Sequence, residues 1–165
     1  MGDRQVFGHW ECDLLIFRKE AGKANVTSLV ERKSRFTFLL ANEDKRSAAV
    51  IAGIAEALRP LPEDARRTVT FDRGTEFASY AALDRHLALA SYFRDPHSPW
   101  QKGGVENANG RVRRFLPRHC EPDALGRVRL RRLADRLDDT PRRCLGYRTP
   151  REVFQQHLAA PAGPP

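Results

Sequence analysis

The spacing of apolar residues along this chain changes period several times, and each change predicts an element. Trp10 to Phe17 is a short apolar run interrupted by acids, and Lys19 to Lys23 contains a glycine and reads as a turn. Ala24 to Glu31 and Arg35 to Ala41 are β-branched or aromatic runs of strand length. Three strands joined by short turns predict an antiparallel meander. From Ser47 to Leu58 the period becomes helical: Val50, Ile51, Ile54 and Leu58 mark one face, Ser47 reads as the N-cap, and Pro60 and Pro62 stop the helix. Thr68 to Asp72 returns to the sheet as a short buried strand. Tyr80 to Leu89 follows as a helix and Ser91 to Arg94 as a strand. Asp95 to Pro99 is a loop, because each proline disfavours helix in the residue before it. The stretch Ser98 to Phe115 runs from that loop into an amphipathic helix ending near Pro117. On it Val105, Ala108, Val112 and Phe115 share one face, and Glu106, Asn109 and Arg113 another. Leu125 to Leu137 gives a further helix, Thr140 to Thr149 a connector, and Pro150 to Leu158 a last short helix with proline at its start.

The order strand, strand, strand, helix, strand, helix, strand, helix, helix predicts an α/β domain, a mixed sheet with helices on both faces. At 165 residues, 41% of them hydrophobic, the chain is long enough for one real core. One domain is expected over residues 1–158, with the Pro- and Ala-rich residues 159–165 a disordered tail. No apolar run approaches a membrane span, and Met1 to Trp10 does not resemble a signal peptide, so a cytoplasmic location is expected. The three cysteines are odd in number and lack a Cys-x-x-Cys pair, which predicts neither a disulfide framework nor a zinc ribbon. Charge changes the picture more. The net charge of +8 is concentrated: residues 97–151 hold 14 Lys plus Arg against 6 Asp plus Glu, whereas residues 1–96 hold 15 against 14. An arginine-rich block without a bulky exposed apolar face favours nucleic acid over membrane.

Three acids then stand out. Asp13 lies inside a strand that the sheet should largely bury, which is costly without a partner. Asp72 falls at the carboxyl end of the fourth strand, where open α/β sheets place ligands. Glu106 is a lone acid on a basic helix. If the first and fourth strands are central neighbours, Asp13 and Asp72 converge and the helix can bring Glu106 to them. Three carboxylates so close repel one another unless cations lie between them. Oxygen-only ligands favour Mg²⁺ or Mn²⁺ over zinc. Two such ions about 3.5–4 Å apart activate a water or 3′ hydroxyl and stabilise the leaving oxygen in displacement at phosphorus. That chemistry is phosphoryl transfer on a polynucleotide.

Six motifs carry a resemblance: Gly8-His9-Trp10-Glu11-Cys12-Asp13-Leu14, Leu29-Val30-Glu31-Arg32-Lys33-Ser34-Arg35, Phe71-Asp72-Arg73-Gly74-Thr75-Glu76, Asp95-Pro96-His97-Ser98-Pro99-Trp100-Gln101-Lys102-Gly103, Glu106-Asn107-Ala108-Asn109-Gly110 and Leu145-Gly146-Tyr147-Arg148-Thr149-Pro150. In this order, from Gly8 to about Phe154, they resemble the catalytic core of bacterial insertion-sequence transposases of the IS-thirty family, whose cores are like retroviral integrase. The resemblance implies a ribonuclease H-like α/β fold: a five-stranded mixed sheet, three antiparallel strands then two parallel, flanked by helices. It implies that Asp13, Asp72 and Glu106 fill the DDE positions, bind two Mg²⁺ or Mn²⁺ ions and catalyse DNA cleavage and strand transfer. Trp100, Gln101 and Lys102 are expected to line the strand-end channel, with Asn109 and Arg113 contacting DNA from the helix. Transposon ends and target DNA are the implied partners, with a homo-oligomer assembled on DNA and a place at the nucleoid.

The chain departs from the family pattern at Cys12 for Gly, His97 for Tyr and Asp138 for Asn; Asp138 is expected to repel phosphate. Trp100 reads equally as a core plug or a stacking platform, and His9 as structural. Gly110, which costs a helix about 1 kcal/mol relative to alanine, hints at close approach of DNA or another helix. Family members carry an upstream helix-turn-helix that recognises inverted repeats. Its lack here leads to the expectation of an excised core or a truncated frame, binding DNA mainly electrostatically. The alternatives at this stage are an inactive remnant that only binds DNA and a ribonuclease H-like nuclease.

Overall fold

The computed structural model describes residues 6–72, 74–94 and 103–160. Five strands form one sheet: β1 (His9–Ile16), β2 (Asn25–Glu31), β3 (Thr37–Asn42), β4 (Thr68–Phe71) and β5 (Ala90–Phe93). Their order is β3-β2-β1-β4-β5, antiparallel from β3 to β1 and parallel from β1 to β5. The expected meander followed by two parallel strands is therefore present, and β1 and β4 are central neighbours. The helices are α1 (Ser47–Leu58), α2 (Ala81–Leu87), α3 (Gly103–Phe115), α4 (Arg127–Asp138) and α5 (Pro150–Ala159).

Alternation along β1 sorts the molecule into two faces. Trp10, Cys12 and Leu14 point into a core with Val50, Ile51, Ile54 and Leu58 of α1, Leu83 and Leu87 of α2 and Phe154 of α5. Leu15 points the other way, into a second core with Val26, Val112 of α3 and Leu116 just after it, and Leu130, Ala134 and Leu137 of α4. The antiparallel register sets Leu15 beside Val26, Asp13 beside Ser28 and Glu11 beside Val30. The face under α3 therefore changes along its length from apolar to polar.

Several local expectations need correction. Ser47 is the first helical residue of α1 rather than its N-cap, and its hydroxyl accepts instead from the Ser79 N–H at 2.6 Å. Helix α2 stops at Leu87 because Ala88 turns left-handed, with φ of 50°, to start β5. Along α3 and the residue that follows it the buried set is Val105, Asn109, Val112 and Leu116, whereas Phe115 is exposed beneath the Arg136 guanidinium. Spacings of four, three and four residues give a straighter stripe than one reaching Phe115. The first turn of α5 has the expected proline and a full capping box between Thr149 and Glu152, and the helix runs one residue further, to Ala159. Residues 161–165 lie outside the described part.

Candidate active site

The site is built by register. Cys12 pairs with Phe71 across β1 and β4, and Phe71 pairs with Phe93 across β4 and β5. One step further along the parallel strands stand Asp13, Asp72 and Arg94, and the ladder extends to that row through Arg94 N–H donating to Phe71 O at 2.9 Å. Ser28 completes the row on β2. The expected convergence of Asp13 and Asp72 thus follows from strand order, at the carboxyl ends of parallel strands.

Asp13 is mostly enclosed. Its Oδ1 accepts from the Leu14 N–H at 2.9 Å and its Oδ2 from the Asn109 amide at 2.7 Å. Burial nevertheless pushes its pKa up, and the Asp72 charge adds to the rise; the Leu14 N–H, Arg94 and Asn109 act in the opposite direction without cancelling it. Among the described residues two acceptor groups around it lack donors: Asn109 Oδ1 and Ser28 Oγ are both buried and unpartnered. Gly74, just beyond Asp72, lies where any side chain would meet the Glu76 carboxylate.

Helix α3 is fixed over this row by two polar ties. Glu11, on the same face as Asp13, accepts from the Val105 N–H at 2.8 Å, so a carboxylate sits at the helix start, where the dipole favours it. One turn on, Asn109 meets Asp13, and a further turn on Arg113 donates to Ile16 O at 2.8 Å and lies over the Phe17 ring. Glu106, three residues before Asn109, is exposed. Among the described residues no three His, Cys, Asp or Glu side chains are grouped closely enough to hold a metal ion. The structure therefore gathers Asp13 and Asp72, while Glu106 stands on the covering helix outside that pair.

Sequence reasoning passes over two residues. Glu11 is only 3% exposed and is bracketed by Arg32 (3.2 Å) and Arg94 (3.4 Å). Arg94, 5% exposed, reaches from Glu11 to Asp72 Oδ1 at 3.5 Å. The signal for Glu11 is its two-residue spacing from Asp13 on a buried strand, which puts two acids on one face. Nothing local marks Arg94, because its environment comes from β1 and β4.

Other candidates separate. Trp100, Gln101, Lys102 and His97 lie outside the described residues. Asn109 faces Asp13 rather than solvent. Asp138 is not a surface repellent to phosphate: it is 2% exposed, accepts from the Thr37 N–H at 3.0 Å, and burial pushes its pKa up to about 8. Its mostly protonated carboxyl at neutral pH is the chemical counterpart of an asparagine. Among the described residues no other helix closely approaches Gly110, since a methyl there would meet nothing within 4 Å. His9 has the expected structural contact, sharing a hydrogen bond with Thr68 Oγ1 at 2.8 Å. Cys12 is fully buried in the first core. Arg114, Arg118, Arg127, Arg129, Arg131, Arg132 and Arg136 are exposed on and around α3 and α4, the helices that pack on the same face of the sheet as Asp13 and Leu15.

Residues 3–99 match the model of the integrase core domain family. The transposase for insertion sequence element IS1086 of Cupriavidus metallidurans is 39% identical over 98% of this chain and 47% of its own length. Transposase InsI for insertion sequence element IS30C of Escherichia coli is 34% identical over 95% of this chain and 40% of its own length. The chain thus spans less than half the length of these curated relatives. Among solved structures, the catalytic core domain of BIV integrase superposes with a TM-score of 0.68 at 18% identity, covering 91% of this chain and 95% of that one. The simian T-cell lymphotropic virus intasome in complex with PP2A regulatory subunit B56 gamma gives 0.69 at 17% identity, over 98% and 58%. The fold is the ribonuclease H-like fold of integrase catalytic cores.

Proposed function

This chain belongs to the integrase core domain family, and from that membership we propose that it is the catalytic core of an insertion-sequence transposase, a DDE-type polynucleotidyl transferase that cleaves DNA and joins transposon ends to a target. The observation that carries the reading is the row Asp13–Asp72 at the carboxyl ends of adjacent parallel strands, with the buried acceptors of Asn109 and Ser28 left without donors beside it. Unpartnered buried acceptors next to a carboxylate with a raised pKa fit a hydrated cation, whose waters donate hydrogen bonds.

Asp13, Asp72 and Glu106 would hold two Mg²⁺ or Mn²⁺ ions, which when bound supply activation of a water or 3′ hydroxyl and stabilisation of the leaving oxygen. The rest of the work falls to the chain. Asn109 fixes the orientation of the Asp13 carboxylate through its amide. Glu11 anchors the start of α3 and so limits where Glu106 travels as it closes on the pair. The arginines of α3 and α4 hold phosphates by charge, with a strong dependence on salt. Trp100, Gln101, Lys102 and Arg113 complete the DNA side of the channel. The partners are transposon ends and target DNA, and the working form is a homo-oligomer assembled on them at the bacterial nucleoid in the cytoplasm. No described helix is long and apolar enough to cross a membrane.

The test is a joining assay with pre-cut transposon ends and Mn²⁺. The expected result is strand-transfer product with this chain, and its loss in Asp13→Asn, Asp72→Asn and Glu106→Gln. Hydrolysis without joining identifies a ribonuclease H-like nuclease instead, and DNA binding with neither activity identifies a remnant.

A further inference from the structure

Among the described residues Arg94 is the one buried cation, and its contacts join two carboxylates of the site. Its side chain enters from the end of β5, with Nη2 3.4 Å from Glu11 Oε2 and Nη1 3.5 Å from Asp72 Oδ1. Both distances are at the long end for ion pairs, and among the described residues Nε and Nη2 have no hydrogen-bond partner although they are buried. The guanidinium is enclosed but loosely held. Glu11 is better held: Arg32 and the Val105 N–H both engage it independently of Arg94. Asp72 differs again, since its side chain is 43% exposed and open to solvent cations on its other side. Asp13 and Asp72 repel each other, and Arg94 is the positive group acting against that repulsion.

We propose that Arg94 is an internal surrogate cation, which neutralises Asp72 while no metal is bound and must give up that carboxylate, falling back on Glu11, when a divalent ion enters. The inference rests on the reading of Asp72 as a metal ligand. Arg94 is then a competitor as well as a support. It keeps two like charges in one row during folding, and it lowers the affinity of the finished site for a doubly charged ion. A unit positive charge within a few ångströms of a divalent ion, at the effective dielectric of a partly solvated site, weakens binding by about tenfold or more. Metal occupancy therefore depends on how readily Arg94 gives up Asp72 and falls back on Glu11.

The deciding experiment titrates this chain with Mn²⁺ and reads free Mn²⁺ by electron paramagnetic resonance, with no DNA and no activity involved. Arg94→Gln and Arg94→Met remove the charge at similar length, Arg94→Lys keeps it, and Asp72→Asn removes the ligand. Circular dichroism identifies which neutral variant retains the wild-type fold, and that variant is the one compared. The expected result is a Kd about tenfold lower in the neutral variant, a Kd within about threefold of wild type in Arg94→Lys, and loss of binding in Asp72→Asn. An unchanged or higher Kd in the neutral variant, with binding still lost in Asp72→Asn, overturns the role of Arg94 and leaves the metal site standing. Binding that is the same in Asp72→Asn as in wild type overturns the metal-site reading and this inference with it.

Discussion

The two faces of the sheet are made from alternate residues of the same strands, yet they follow different rules. On the face under α1, α2 and α5 the strands contribute Trp10, Cys12, Leu14, Leu29, Val69 and Phe71, and aromatic pairs such as Trp10–Phe38 and Phe71–Phe77 fill the space between layers. The polar atom of Trp10 is satisfied, its indole N–H donating to Ala65 O at 2.8 Å. On the face under α3 and α4 the same strands contribute Glu11, Asp13 and Ser28 before reaching Leu15 and Val26. Buried atoms of Ser28, Arg94, Asn109 and Arg113 there lack partners. Native proteins satisfy almost all buried polar groups, so unpartnered atoms beside the carboxylate pair support the proposal that a ligand binds on this face. One face holds the sheet; the other carries the polar groups with which a cation and DNA are proposed to pair.

That contrast can be broken or sharpened by substitution. Trp10→Ala on the apolar face removes a fully buried indole, and a loss of about 3–5 kcal/mol is expected by urea denaturation. A loss below about 1 kcal/mol would mean that this face does not dominate the fold. On the other side, Asp138→Asn tests a buried acid away from the site. Its folded pKa is about 8 against an unfolded value near 3.8. Between those values the folded chain retains a proton that the unfolded chain has released, so wild-type stability falls as pH rises through that window. Asparagine has no such proton to lose. The variant should gain about 1–3 kcal/mol at pH 8 and less at pH 4.5, checked by denaturation at both. An equal gain at the two pH values would show that Asp138 is not the titrating group.

The elements were readable because burial imposes period two on strands and 3.6 on helices, and both survive in Val50, Ile51, Ile54 and Leu58 and in the runs of β1 to β3. Asp13 and Asp72 were readable for a related reason: a carboxylate inside a strand, or at its carboxyl end, is conspicuous in a sequence. Asn109 was placed on the polar side of α3 because hydrophobicity alone assigns helix faces, and an amide buried against a carboxylate has the same hydropathy as one in water. Arg94 and Glu11 were illegible as a pair since only the order β1-β4-β5 brings them together. Asp138 is illegible in sequence because its charge is not fixed: burial at 2% exposure raises its proton affinity.

The central claim, that the polar face gives up stability to hold a cation, is tested most directly by melting temperature in EDTA and in Mn²⁺ for wild type, Asp13→Asn and Glu106→Gln. Asp13 has a raised pKa, so its charged form costs stability at neutral pH, and Asp13→Asn should melt higher than wild type in EDTA. Glu106 is exposed, and Glu106→Gln should melt with wild type in EDTA. In Mn²⁺ the wild type should gain stability that neither variant gains. If Mn²⁺ shifts wild type and Glu106→Gln identically, or if Asp13→Asn melts lower than wild type in EDTA, the account is wrong.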